Sequence, residues 1–363
     1  MKYVDEFRGR RASERYAAAI SDAVSGDWTL MEVCGGQTKC IVRYGIDTLL
    51  PRNIRLVHGP GCHVCVTPVN LIDAAVSISR IPDAVLCSFG DMLRVPGTAG
   101  DLLAARASGG EIKMVYSPLD AVDIAEAHPD KQVVFFAAGF ETTVPVTAMA
   151  VRKARSRGVS NFSLLVAHVR VPPIIRLILS SPENPIDGFL AAGHVCSVTG
   201  YTDYEDIASE FSTPFTVTGF EPLDILQGIL MTVRQLESGK ATVENQYSRV
   251  VSRESGRAWQ IAMSVFQFCD MEWRGLGMVK EGGFRIRDDF QRFDALDRFS
   301  IDHPSAAAET HCRSGEVLMG LLTPDACEYY GTQCFPDSPL GAPMVSPEGT
   351  CAAYFRYRGG TNG

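Results

Sequence analysis

Cys62 and Cys65 stand three positions apart in the stretch GPGCHVCVTP (59–68). That spacing suits a reversible disulfide or a shared metal. Gly59, Pro60 and Gly61 force the chain to turn where Cys62 begins, so the pair is expected in a tight loop after a strand and before a helix. A third thiol, Cys34, lies in MEVCGGQTKC, where two glycines let backbone amides approach a ligand closely and a helix is expected from near Thr38. A thiol at a helix start has its thiolate favoured by the helix dipole, which suits a nucleophile or a metal ligand. If the strands before Cys34 and Cys62 are neighbours, the three thiols form one reactive group in exposed turns. His63, between the pair, is either a donor to a thiolate, a metal ligand or a plain loop histidine.

Four more cysteines, Cys312, Cys327, Cys334 and Cys351, fall within forty residues of Pro/Gly-rich sequence with too few apolar residues for a core of its own. A metal or cluster in place of hydrophobic burial explains such a segment. Four thiolates fit a structural Zn²⁺ or a cubane iron–sulfur cluster, and the wide, uneven spacing favours the cluster. Cys40, Cys87 and Cys269 read as small core residues.

The rest of the chain bounds these readings. With 363 residues, 46% hydrophobic and 21% charged, it is long enough for two or three domains. A net charge of −8 argues against a nucleic-acid or anionic-membrane surface. No signal peptide and no membrane-length apolar run is evident, so a cytoplasmic protein is expected, in which eleven cysteines imply metal or redox chemistry rather than structural disulfides.

Eight short apolar runs separated by helical stretches predict buried parallel strands at 29–33, 54–58, 84–89, 113–117, 132–138, 162–167, 188–192 and 215–219. They suggest an α/β protein of two similar lobes, 1–130 and 131–240, followed by a charged, irregular region, 241–363, that carries the cysteine-rich tail. A turn rich in glycine, proline or polar residues follows every strand, and ligands of open α/β sheets bind at that edge. Asp91 with Arg94, Glu141 with Thr142 and Thr143, and His168 and His194 lie there too, each with an ordinary salt-bridge, capping or hydrogen-bonding role as the alternative.

The segments MKYVDEFR, MEVCGGQT, HGPGCHVCVTP, SFGDMLRVPG, VVFFAAGFETT, GFEPLDILQGILM, VENQYSRVV, EWRGLG, GEVLMG and MVSPEGTCAAYFRY, in this order, resemble the HypD family of hydrogenase maturation factors over nearly the full length. The resemblance implies two α/β lobes facing a cleft, a C-terminal [4Fe–4S] region, and assembly of the Fe(CN)2CO unit of [NiFe] hydrogenases with HypC-like and HypE-like partners, serving the hydrogenase large subunit indirectly. It assigns Cys34 to iron held jointly with a HypC-like chaperone, Cys62 and Cys65 to redox chemistry, and Cys327, Cys334 and Cys351 to the cluster. This chain departs from the family pattern at Gln37 and Lys39, where GGQTK replaces GGHTH, and at His63, where CHVC replaces CPVC. It also has Ser314 where a cysteine usually precedes GEVL, which leaves Cys312 or Ser314 as the fourth ligand. The expected protein is a redox-active assembly factor rather than a conventional turnover enzyme. A thiol–disulfide oxidoreductase with a structural metal tail, and a binding scaffold for another metallocentre, are the alternatives.

Overall fold

The computed structural model describes residues 5–301 and 311–359, so the first four residues of the MKYVDEFR match lie outside it. All eight apolar runs form strands: β1 (Trp28–Glu32), β2 (Ile54–His58), β3 (Ala84–Ser88), β4 (Ile112–Met114), β5 (Gln132–Gly139), β6 (Phe162–His168), β7 (Gly188–Ala192) and β8 (Phe215–Thr218). Their residues are buried almost without alternation, as in β6, where all seven positions are inside. That pattern belongs to parallel strands covered by helices on both faces.

The strands pair as two parallel sheets, β2-β1-β7-β8 extended by β9 (Val243–Asn245), and β4-β3-β5-β6. The expected division into consecutive lobes, 1–130 and 131–240, does not follow these sheets. One compact unit comprises residues 1–62, 174–256 and 312–363; the other comprises 63–173 and 257–311. The chain enters and leaves each unit because β1 pairs with β7, far along the sequence, from Leu30 opposite Gly188 to Glu32 opposite Leu190. A short apolar run announces a buried strand but does not name its neighbour.

The first unit buries Leu30, Ile41, Leu56, Leu190, Ile225 and Ile229 together, the last two from the helix Pro222–Glu237. In the second unit Phe135, Phe162 and Leu164 pack with Ala148 and Val151 of the helix Val144–Arg157. The region after residue 240 is more regular than its composition suggests, since β10 (Phe266–Trp273) and β11 (Gly277–Ile286) form an antiparallel ribbon of the second unit. A bulge between Cys269 and Met271 interrupts the alternation that would have revealed it. Cys269 is consequently half-buried on this ribbon and not in the core, whereas Cys40 and Cys87 are core residues as expected. Among the described residues no helix is long and apolar enough to cross a membrane.

The last residue of the helix Pro222–Glu237 locks it to the start of β1. Glu237 accepts hydrogen bonds from the backbone N–H groups of Ser25 (2.8 Å) and Gly26 (3.0 Å) and from the Trp28 indole (2.7 Å). These donors, Gly26 first, lower its pKa from 4.5 to about 2. A carboxyl depressed on folding contributes stability above its unfolded pKa and loses it as pH falls through the folded one. Acid titration of Glu237→Gln is therefore expected to show a less stable protein than wild type at pH 7, with the difference shrinking between pH 4.5 and 2. Denaturant midpoints at each pH measure it, and parallel curves would disprove the lock.

Candidate metal and redox site

In the first unit's sheet, the chain runs from β1 to β2 on one side while β7 and β8 lie on the other. The C-terminal ends of β1 and β7 therefore flank a topological switch point, where turns diverge and leave a crevice. Cys34 follows β1, His194 follows β7, and Cys34 Sγ lies 3.6 Å from His194 Nδ1. The sequence offered both residues but did not bring them together, because that contact depends on the β1–β7 pairing.

Cys34 is the N-cap of the helix Gly35–Tyr44, which starts three residues before the expected Thr38. Far from being exposed, it is 2% accessible. Burial raises the thiol's pKa well above its ordinary value, the Glu32 charge adds to this, and the N–H groups of Gln37 and Gly36 oppose it only in part. The helix start thus acts as expected on a thiolate but does not win, and in the free protein Cys34 is a thiol. His194 is lowered to about 4 by burial and is a neutral imidazole, the form that binds metals. A thiol and a neutral imidazole side by side can receive a cation, with the thiol proton leaving as the cation enters.

Glu32, which the sequence reading passed over, holds this loop. It is fully buried, accepts a hydrogen bond from the Cys34 N–H (2.8 Å) and one from the Thr38 hydroxyl, and pairs with His58 Nδ1 at 2.7 Å. Glu32 and His58 are register partners across β1 and β2. A charged and a titratable residue, ending neighbouring strands, were the available signal. The His58 ring in turn meets Tyr354 edge-on at 5.5 Å.

The second turn is pressed against the first. Gly35 N–H donates to Gly61 O at 2.8 Å, and a Cβ on Gly61 would stand 2.2 Å from Cys34 N, so only glycine fits. Cys62 follows at once. Cys62 and Cys65 are disulfide-bonded and buried, at 5% and 0% exposure, against the expectation of an exposed turn. His63 does not turn toward bulk water alone: its Nε2 lies 3.2 Å from Asp91 Oδ2 and its ring meets Phe140 edge-on at 6.2 Å. Asp91 therefore pairs with His63 and not with Arg94.

The four tail cysteines come together. Cys312, Cys327, Cys334 and Cys351 line one small cavity, with Ser314, Tyr330 and Met344 also in its wall. The apolar core around them is small, Cys334, Met344 and Ala352 being its buried members. Burial raises Cys351 well above its ordinary pKa, and the nearby Cys312, Cys334 and Cys327 raise it further. Among the described residues, no three His, Cys, Asp or Glu side chains converge closely enough for a single metal ion. Cys312 is wedged at this wall by Gly341, whose Cβ would meet its sulfur at 2.1 Å.

The remaining polar candidates have structural roles. Gln37 is buried and ties β7 to β8 through Ala191 O (3.3 Å) and Thr218 Oγ1 (2.5 Å), while Lys39 is half-buried. Glu141 accepts from Val171 N–H at 2.8 Å, and Thr143 Oγ1 donates to Phe140 O at 3.0 Å. His168 is buried beside Thr147, Phe266 and Phe284.

Comparison with known proteins gives one answer. The HypD family profile, described as "Hydrogenase formation hypA family", matches residues 11–358. A "Hydrogenase maturation factor HypD" from Rhizobium leguminosarum bv. viciae is 47% identical over 98% of this chain and 96% of its own length. Proteins of the same name from Cupriavidus necator and Escherichia coli K12 are 45% and 44% identical, covering 98% and 99% of this chain and 97% and 98% of their own.

Because the Glu32–His58 pair is buried, removing one partner leaves the other's charge or polar groups without compensation, at a cost of about 3–5 kcal/mol. His58→Ala is expected to lose stability on that scale. Glu32→Gln, which keeps an acceptor for Cys34 N–H, is expected to lose less. Urea unfolding of the two variants tests the order, and a reversed order would show that Glu32 does not hold the loop through hydrogen bonds.

Proposed function

Since the chain belongs to the HypD family of hydrogenase maturation factors, we propose that its first unit holds the iron from which the Fe(CN)2CO unit is built. The Cys34–His194 contact at the switch point carries this reading. Iron is the cargo here. Cys34, once its proton has left, is the soft anionic ligand that low-spin iron with diatomic ligands requires, and neutral His194 offers nitrogen beside it. Burial keeps water from competing. The tight Gly61–Cys34 packing keeps Cys62 next to the iron-holding turn, and the disulfide-forming pair can exchange two electrons.

Cys312, Cys327, Cys334 and Cys351 would hold a [4Fe–4S] cluster, which supplies one-electron chemistry when bound. Cys312, on the cavity wall, replaces the cysteine usual at Ser314. A HypC-like chaperone would share the iron through Cys34 and a HypE-like protein would donate cyanide. The recorded disulfide equally suits a thiol–disulfide oxidoreductase with a structural metal tail, and that reading predicts thiol exchange without any iron–cyanide product.

Cys34→Ser keeps the size of the side chain but replaces the thiol with a hydroxyl that stays protonated. Co-purified anaerobically with a HypC-like partner, this variant is expected to be folded and to lack the infrared bands of iron-bound cyanide and carbon monoxide that wild type shows. Bands at wild-type intensity would remove Cys34 from the iron site. Separately, wild type is expected to contain about four cluster irons per chain. Cys312→Ser is expected to lose most of them, whereas unchanged iron content would assign the fourth position to Ser314 or another group, and one zinc without iron would overturn the cluster.

A further inference from the structure

We infer that His63 sets the reduction potential of the Cys62–Cys65 disulfide, making it a stronger oxidant than a CPVC pair would be. The inference rests on the redox reading of that pair. His63 is the one residue of the loop that combines a position between the two sulfurs with a titratable ring, and the structure fixes that ring. Asp91 follows β3 and Phe140 follows β5, so the two groups that hold His63 stand on either side of the switch point of the second unit's sheet, ordered β4-β3-β5-β6. The ring is fastened where such sheets place working groups.

The sulfurs are buried at 5% and 0% exposure, so water cannot solvate a thiolate formed when the bond opens. A neighbouring cation must do it. Asp91 is 40% exposed, whereas His63 is 23% exposed, and the carboxylate holds the ring in place. Burial pushes the Asp91 carboxyl up, yet its hydrogen bond and electrostatic interaction with His63, with two backbone N–H groups, bring it below its ordinary value.

With glutathione as reductant the exchange balances. Two glutathione thiols give up two electrons and two protons and join as a disulfide, and the Cys62–Cys65 bond breaks. One proton goes to a cysteine sulfur and the other to the imidazole of His63, leaving a thiolate and an imidazolium in the same turn. Stabilising that reduced form makes the disulfide more readily reduced.

The intact protein, equilibrated anaerobically at fixed pH in glutathione buffers and alkylated, reports the state of this pair by mass spectrometry of the peptide that carries it. Wild type is expected to have a reduction equilibrium constant at least about tenfold above those of His63→Gln and His63→Pro, equivalent to about 30 mV. Asp91→Asn should move the same way by less, and His63→Lys, which restores a cation, should recover most of the difference. Gln and Pro variants within twofold of wild type would overturn the inference, as would a shift that lysine does not recover, which assigns the effect to packing. A wild-type pair that never exchanges with glutathione would instead sink the redox reading itself, and the inference with it.

Discussion

The first unit depends on one buried carboxylate. Glu32 ends β1 with no exposure to water, yet it carries three hydrogen-bonding partners drawn from three places: the Cys34 N–H of its own turn, the Thr38 hydroxyl of the following helix, and His58 of the neighbouring strand. A buried charge is costly unless paired and hydrogen-bonded. The compensation here requires the turn, helix and strand to be in these positions at once. The geometry of Cys34 is therefore held from below by electrostatics. From the side it is held by sterics, because Gly61 admits no side chain against the Cys34 backbone.

The same carboxylate explains why Cys34 is not an activated thiol in the free protein. A helix start favours an anion, and Gly36 and Gln37 do direct N–H groups at the sulfur, but burial and the Glu32 charge outweigh them. The result is a buried thiol beside a neutral imidazole. The CxxC turn works under a different constraint. Its histidine is already paired with a carboxylate, so the ring is held in place before any bond to sulfur changes.

The closing segment solves a separate problem. It has little apolar core, and four cysteines from separate stretches of the segment line one cavity. Its last helix, Thr350–Tyr357, reaches back to the first unit's strands through Tyr354 against His58. Glu348, just before that helix, lies against Gly35, where any Cβ would meet the Glu348 carbonyl oxygen at 2.8 Å. Cys351 and the Cys34 turn are thus parts of one packed structure.

Much of this was legible in the order of residues. Buried parallel strands need uninterrupted β-branched and aromatic runs, so eight strands, the turns after them, and the thiols in those turns could be read locally. The order and wording of the motifs carried the family. Sequence alone did not determine which strands are neighbours, since every apolar run is an acceptable partner for every other. The interleaving of two units, and with it the meeting of Cys34 with His194 and of His63 with Asp91, followed only from tertiary pairing. The same holds for charge. Cys34 reads as a favoured thiolate from its place before a helix, but its protonation is decided by burial and by Glu32, and both depend on what the fold packs around the sulfur.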